Sequence, residues 1–306
     1  MGWREHIERL VRGETQRDAP LAPRTAVRVG GPADLFVKPA DGDDLAALLR
    51  ACRDMGVPLF PLGGGANLLV ADRGVRGVVV KLPGDFGAEL DLGRRLVLSA
   101  GAPASRLVTR AQRRGLVGCE FAAGIPGTLG GMVAMNAGTR AGEMKDVVRR
   151  VEIATHDGAG FVEASELGFA YRTCRLPPDG IVTRVEVELS PGDVAASLAA
   201  MRADVERRRA TQPLDRPTFG STFRNPPGDY AGRLIEAVGL KGHRVGNAVW
   251  SPVHANFVTN LGGATARDVL ALVNLARARV KDAVGIVLEP EVRLAGEFLD
   301  DERIAS

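Results

Sequence analysis

The chain reads as an α+β protein with mixed sheets, folded as two or three packed units. Three observations carry this expectation. Stretches with apolar residues at helical spacing occur beside stretches that alternate apolar and polar, the patterns of helices and of half-buried strands. The alternating stretch that runs into His156-Asp157-Gly158 carries a turn signal that suits antiparallel pairing. At 306 residues the chain exceeds the usual size of one core, and it shows no internal repeat or low-complexity segment.

The elements follow in order. From Asp43, the apolar positions Leu45, Leu48, Leu49, Cys52 and Met55 mark a helix that Gly56 and Pro58 stop. Val57 to Leu62 is a short apolar run leading into Gly63-Gly64-Gly65-Ala66-Asn67, after which Leu68 opens another run and Val78-Val79-Val80 a strand. A strand around Leu96-Val97-Leu98 precedes a helix from Ser105 to Arg114, closed by Gly115. Val151 to Thr155 alternates, and so does Ile181 to Leu189, where polar Arg184, Glu186 and Glu188 occupy the other face; both predict half-buried strands. Pro191-Gly192 breaks the pattern, and Asp193 to Arg209 places Val194, Leu198, Met201 and Val205 on one helical face. A domain boundary is expected there. Thr265-Ala266-Arg267-Asp268 resembles a capping box for a helix to about Val280, and Ile286 to Leu294 alternates as a final strand, with Glu289, Glu291 and Arg293 on its other face.

Composition excludes several classes. Hydrophobic residues at 45% and charged residues at 25% are those of an ordinary globular protein rather than a disordered one, and 5% aromatic residues leave a core of Leu, Val and Ala. A net charge of +3 with dispersed basic residues argues against a nucleic-acid surface; the one dense run, Arg207-Arg208-Arg209, reads as the end of a helix. Cys52, Cys119 and Cys174 are odd in number without C-x-x-C spacing, and the four histidines lack H-x-x-x-H or H-E-x-x-H spacing. Neither a disulfide framework nor a metal site is expected, and a reducing cytoplasm is the expected location. Met1 to Gln16 is charged throughout, and nowhere do about 18 consecutive apolar residues occur, so the chain is expected neither to be secreted nor to span a membrane. No obligate protein partner is evident.

The chemistry-bearing segments are glycine-rich. Gly63-Gly64-Gly65 lets the backbone approach a ligand and turn its N–H groups inward, an anion nest that suits a pyrophosphate. Gly124-Ile125-Pro126-Gly127-Thr128-Leu129-Gly130-Gly131, followed by Asn136-Ala137-Gly138, offers a second set of donors and small residues that admit a flat ring. Each loop alone reads first as a tight structural turn; two such loops in one half of the chain weaken that reading. No Gly-Lys-Ser/Thr closes either loop and neither matches G-x-G-x-x-G with a following acid, which leaves a dinucleotide held by a non-Rossmann, two-lobed domain. Later, Gly220-Ser221-Thr222-Phe223-Arg224-Asn225-Pro226 crowds a hydroxyl, a cation and an amide into a bent segment, built either as a site or as a polar loop that satisfies local backbone groups.

Arg28-Val29-Gly30-Gly31, Leu62 to Val70, Gly124 to Gly131, Tyr171-Arg172, Gly220 to Pro226, Gly239-Leu240-Lys241-Gly242, His254-Ala255-Asn256-Phe257 and Glu289-Pro290-Glu291-Val292-Arg293 together resemble the UDP-N-acetylenolpyruvoylglucosamine reductase family, in that family's motif order from residue 25 to about 296. The chain is similar to its shorter form, since the segment between Asn225 and Gly239 has no room for the longer form's insertion. The resemblance implies a two-lobed FAD-binding domain of the vanillyl-alcohol-oxidase type over 20–192, with lobes of about 20–82 and 83–192, and an α+β domain for the UDP-sugar over 193–298. It implies non-covalent FAD, NADPH as co-substrate, and reduction of the enolpyruvyl ether of UDP-N-acetylenolpyruvoylglucosamine to the lactyl ether of UDP-N-acetylmuramate, for peptidoglycan. Ala66 stands where the family usually has Ser, and Asn136-Ala137-Gly138-Thr139-Arg140 departs from the usual continuation of the second loop.

Carried over residue by residue, the resemblance implies that Gly63, Gly64, Gly65, Ala66, Asn67 and Leu68, with Gly124, Ile125, Pro126, Gly127, Thr128, Gly130 and Gly131, hold FAD. It implies Ser221 as proton donor, with Arg172 and Glu291 stabilising charge on the substrate carboxylate. Arg224 and Lys241 suit phosphates and Asn225 the uracil, while His254 is expected to be structural. By neighbourhood alone, Arg172 is equally a surface cation and Glu291 a partner of Arg293. Two other readings share these residues: a flavoenzyme with a different substrate on the same scaffold, and a nucleotide-binding protein without turnover.

Overall fold

The structure, a computed structural model, describes residues Gly2 to Leu299 and Ile304. The chain forms two compact units, each assembled from discontinuous stretches: one from the stretch ending at Arg17 with Leu35–Gly64 and Gly77–Glu206, the other from Asp18–Asp34, Gly65–Arg76 and the chain from Arg207 onward. Packing therefore cuts across the single boundary expected at residue 193. The physical reason lies in polar pairings that no periodicity reveals. Asp72 accepts from the Ala266 and Arg267 N–H groups at 2.8 and 3.1 Å, at the start of the helix Ala266–Val284. Asn260 is buried and donates to the Val27 carbonyl at 2.9 Å, and Leu68–Val70 pairs in parallel with Arg293–Ala295.

The first unit holds an antiparallel sheet in the order Gly158–Glu163, Val148–Thr155, Ile181–Glu188, Arg95–Ser99, Leu90–Leu92. The hairpin through His156-Asp157 is as expected. Ile181–Glu188 is the central strand, and it is buried on both faces rather than one. Glu186, 1% exposed, is the consequence: a carboxylate there must be paired. Arg150 Nε donates to it at 2.7 Å and Arg95 Nη1 at 3.3 Å. Burial alone would raise its pKa; the two guanidiniums more than offset that and hold it below the ordinary carboxylate range.

Helices Gly42–Asp54, Ala104–Arg113 and Leu129–Ala134 pack on strands of this sheet. The first starts where Asp41 Oδ1 accepts the Asp44 N–H at 3.0 Å, and it buries Leu45, Leu48, Leu49 and Cys52 on one face. Each such leucine contributes about 1.5–3 kcal/mol by leaving water. Cys52 and Cys119 are free, and burial pushes both thiols up to about 12. A further sheet, in the order Glu14–Pro20, Pro32–Lys38, Val75–Val80, Leu59–Pro61, includes a parallel pairing of Leu59–Pro61 with Val78 to Val80. The helix Val194–Thr211 forms, but of its expected apolar face only Met201 is buried. Arg208 and Arg209 lie in its last turn.

The second unit is built on an antiparallel sheet in the order Thr218–Ser221, Phe257–Asn260, Ala248–Trp250, Arg244–Val245. The helix Ala266–Val284 has the capping box read from its sequence, with Thr265 Oγ1 accepting the Asp268 N–H at 3.0 Å, and ends on Gly285 at φ +72°. Its buried Val269, Leu270, Val273, Ala276 and Val280 join Trp250, Phe223, Leu234 and Ile235 in one core. The expected final strand shortens to Arg293–Ala295. Pro290 has no N–H to give a ladder, and residues 289–291 instead bond the backbone of Thr222 to Arg224. No helix among the described residues is long and apolar enough to cross a membrane.

Candidate active site

In the first unit the two glycine loops lie backbone against backbone. A Cβ on Gly64 would fall 2.4 Å from Gly127 Cα, and one on Gly63 2.8 Å from Thr128 Oγ1. Glycine at both positions is a requirement of space. Gly65 has φ +62°, and its carbonyl accepts the Ala26 N–H at 3.0 Å within the second unit. Among the described residues no backbone N–H from Gly63 to Ala66 donates to a protein acceptor, so this turn presents a run of open donors. That fits the phosphate end of a dinucleotide. Ala66 removes a hydroxyl from the turn without removing its N–H.

The second loop differs from its expectation as another donor set. Its N–H groups are largely spent inside the protein: Ile125 to the Ala122 carbonyl at 3.3 Å, Leu129 to Ala102 at 2.9 Å, Gly130 to Ala100 at 2.8 Å and Gly131 to Thr128 Oγ1 at 3.4 Å. Its small residues are explained by close approach instead. A Cβ on Gly130 would stand 3.0 Å from Ala100 Cβ, and Gly127 has φ +126°. Asn67 and Leu68, expected at the cofactor, have other work as well. Asn67 Nδ2 donates to the Glu291 carbonyl at 3.0 Å, and the Asn67 carbonyl accepts the Arg293 N–H at 3.2 Å. Leu68 is a buried strand residue paired with Arg293.

Arg172 belongs to the first unit, on a turn closed by paired Ala170–Thr173 backbone bonds of 3.0 and 3.2 Å. Its φ is +57°, a costly conformation for a residue with a Cβ. The guanidinium lies 5.0 Å from the Tyr171 ring centroid and donates to the Gly138 carbonyl at 3.4 Å.

Ser221 and Glu291 come together in the second unit. Ser221 ends its strand opposite Phe257 across a register shift, preceded by Gly220 at φ +85°. A Cβ at Gly220 would meet nothing within 4 Å, so conformation and not space selects glycine there. The Ser221 hydroxyl is partly exposed and has no hydrogen-bond partner among the described residues. The Glu291 N–H donates to the carbonyl of the next residue, Thr222, at 2.8 Å, and the Arg224 N–H to the Glu289 carbonyl at 2.9 Å, which fixes Glu291 beside the serine segment.

Asn256, quoted in a motif but given no role from sequence, is the clamp beneath. It is 3% exposed; Oδ1 accepts the Phe223 N–H at 3.0 Å, Nδ2 donates to the Phe223 carbonyl at 2.8 Å, and its own carbonyl accepts the Thr222 N–H at 2.8 Å. The signal that could have found it is an amide among apolar neighbours in the turn just before a strand. His254 is structural: Nδ1 accepts the Asn256 N–H at 3.2 Å, the ring meets Phe257 edge-on at 4.9 Å, and burial, with Lys241 nearby, keeps its pKa below the ordinary value.

The three residues expected at the nucleotide are less gathered. Asn225 Oδ1 accepts the Ala231 N–H at 3.0 Å, capping the helix Ala231–Ala237 and leaving its amide nitrogen for other partners. The Arg224 guanidinium is 3.9 Å from the Glu289 carboxylate, and Lys241 Nζ donates to Glu236 at 2.9 Å. Both cations thus already face carboxylates.

Comparison with known proteins matches these features to a family. Residues 212–295 match the C-terminal domain of UDP-N-acetylenolpyruvoylglucosamine reductase, and residues 33–161 match an FAD binding domain. The UDP-N-acetylenolpyruvoylglucosamine reductase of Anaeromyxobacter sp. (strain K) is 75% identical over 302 residues, covering 99% of this chain and 92% of the relative. That of Myxococcus xanthus (strain DK1622) is 52% identical over 297 residues, covering 96% of each. The crystal structure of the reductase from Thermus caldophilus aligns with a TM-score of 0.79 at 42% identity, over 93% of this chain and 99% of that one. The fold is accordingly an FAD-binding N-terminal domain followed by the C-terminal domain of these reductases. With relatives this similar along nearly its whole length, the chain belongs to the UDP-N-acetylenolpyruvoylglucosamine reductase family.

Proposed function

We propose that this protein reduces the enolpyruvyl ether of UDP-N-acetylenolpyruvoylglucosamine to the lactyl ether of UDP-N-acetylmuramate, with non-covalently bound FAD and with NADPH as reductant, in the cytoplasm. The observation that carries the reading is a serine hydroxyl with no hydrogen-bond partner among the described residues, held beside Glu291 by the Glu291–Thr222 backbone bond. Bound FAD would supply a hydride to the terminal carbon of the enol ether. The negative charge that develops on the neighbouring carbon and its carboxylate must then be stabilised and quenched by the chain's own groups. Ser221 Oγ gives the proton to that carbon; Arg172 pairs with the carboxylate as charge develops, and Glu291, carrying a proton, hydrogen-bonds it, so that together they polarise it and stabilise the intermediate.

Gly63 to Ala66 would hold the cofactor's phosphates by their open N–H groups, with Asn67 and Leu68 following on, and Gly124 to Gly131 would give its ring a surface rich in glycine. Arg224 and Lys241 would exchange Glu289 and Glu236 for the substrate's phosphates, a trade from exposed pairs of small worth to charge-assisted bonds. Asn225 would offer its amide nitrogen to the uracil. In functional terms residues 20–192 are the FAD-binding domain, with lobes at about 20–82 and 83–192, and residues 193–298 bind the sugar nucleotide.

The test is the visible absorbance of the purified, FAD-loaded protein under anaerobic conditions. NADPH is expected to bleach the flavin band and the enolpyruvyl sugar nucleotide to restore it. A band that stays bleached would move the protein to another flavin-dependent reaction, and failure to bind FAD would overturn the reading of both glycine loops.

A further inference from the structure

Asn136 follows the second glycine loop and is a residue the reaction above does not use. Asn136 is fully buried at φ +40°. A buried amide has to place its donors and acceptor inside the protein, and where it places them is informative. Nδ2 donates to the Ala170 carbonyl at 3.1 Å and to Glu143 Oε2 at 3.0 Å, while Oδ1 accepts the Lys145 N–H at 2.9 Å. Ala170 is the stem of the turn that presents Arg172, its N–H and carbonyl both paired with Thr173. Two residues beyond Asn136, the Gly138 carbonyl accepts from the Arg172 guanidinium itself at 3.4 Å.

The short stretch Asn136 to Gly138 thus grips the Arg172 turn twice, at its stem through a side chain and at its tip through a carbonyl. Both gripping and gripped residues have left-handed backbones, Asn136 at φ +40° and Arg172 at +57°. Such conformations persist only where the surroundings over-determine them. Tyr171, 52% exposed, lies 5.0 Å from the guanidinium on the turn's open side.

We propose that Asn136 is a positioning residue for Arg172, holding the turn at Ala170 so that the guanidinium meets the substrate carboxylate as charge develops on it. This rests on the reading of Arg172 as the group that stabilises that carboxylate. The side chain is wholly buried and would act on the reaction through Arg172. Its removal therefore slows the step in which the substrate is reduced and leaves the step in which NADPH is oxidised alone.

The test compares FAD-loaded wild type with Asn136→Gly, which accepts the left-handed backbone but lacks the side chain, with Arg172→Ala, and with the double variant. Asn136→Asp, which keeps the acceptor and loses both donors, replaces Asn136→Gly should the latter not fold. Amide hydrogen exchange at Ala170 to Thr173 is expected to speed up in Asn136→Gly while exchange in the central strand Ile181–Glu188 is unchanged. In stopped flow, flavin reduction by NADPH is expected at the wild-type rate and reoxidation by UDP-N-acetylenolpyruvoylglucosamine to be about 10- to 100-fold slower. The double variant is expected to reoxidise no more slowly than Arg172→Ala. Reoxidation of Asn136→Gly within about twofold of wild type, or multiplication of the two single effects in the double variant, would overturn the positioning role while leaving Arg172 in place. Unimpaired reoxidation in Arg172→Ala would instead remove Arg172 from the reaction, and the proposal with it.

Discussion

Gly64→Ala tests the glycine loops at their closest approach. The added methyl would stand 2.4 Å from Gly127 Cα and 3.1 Å from its carbonyl carbon, all backbone and none of it free to rotate away. Carbon atoms settle at about 3.5–4.0 Å, so the loops must part by about 1 Å. Overpacking of this kind costs roughly 1–3 kcal/mol. In a unit of this size that lowers the melting temperature by about 2–4 °C per kcal/mol. If the closed pair of loops is what holds FAD, up to the whole cost returns on binding, weakening affinity by about 5- to 150-fold. Melting of the apoprotein and titration with FAD, followed by loss of flavin fluorescence, read the two effects separately. Gly42→Ala is the control, because nothing lies within 4 Å of its Cβ at the start of a helix. A Gly64→Ala protein that melts and binds FAD like wild type would refute the reasoning. Lower melting with intact affinity would leave the loops packed but not as a cradle.

Three more outcomes are expected. Ser221→Ala should bind FAD and be reduced by NADPH normally, yet reoxidise with the enolpyruvyl substrate by roughly 10²-fold or more slowly in stopped flow; a normal rate would remove Ser221 from proton transfer. Asn256→Ala should destabilise the protein by about 2–4 kcal/mol in urea unfolding, because it strands the buried Phe223 N–H and carbonyl together; a loss below about 0.5 kcal/mol would contradict the clamp. Glu186 has a lowered folded pKa, so its contribution to stability is complete above the ordinary glutamate value of about 4.3 and disappears as pH falls through the lower folded value. The stability gap between wild type and Glu186→Gln should accordingly narrow on acidification, and a gap constant with pH would mean that the Arg150 and Arg95 pairing is not what the carboxylate contributes.

Much of this was legible where one local rule decided the outcome. Thr265 starts a helix as its cap, Gly115 closes another, and the turn through His156-Asp157-Gly158 joins antiparallel strands. Family membership was legible from the order of motifs. What escaped was set by partners distant in sequence. Alternation in Ile181 to Leu189 could not say that Glu186, on the polar face, would be buried, which the Arg150 and Arg95 guanidiniums from neighbouring strands make tolerable. Nor could alternation in Ile286 to Leu294 outweigh Pro290 and the claim that Thr222 and Arg224 make on that backbone. Asn67 matched a cofactor motif, while its amide ties the chain to Glu291.

Conformation at the groups proposed to react follows a different logic from the rest of the chain. Among the described residues, four without a glycine's freedom have positive φ: Asp18, Arg28, Asn136 and Arg172. Two of them make one assembly around a proposed catalytic guanidinium. Ser221 follows a glycine whose left-handed backbone answers no crowding at all. Strain of this sort costs of order 1–3 kcal/mol per residue and is retained where the surroundings enforce it. Here the enforcement is visible: Asn136 and Gly138 hold the Arg172 turn, and Asn256 with Glu291 holds the backbone just past Ser221. Rigid amides and backbone bonds fix the groups proposed to carry the chemistry. On the proposed mechanism such a network presents the guanidinium and the hydroxyl to charge as it develops, which is the condition for lowering a barrier rather than merely tightening substrate binding.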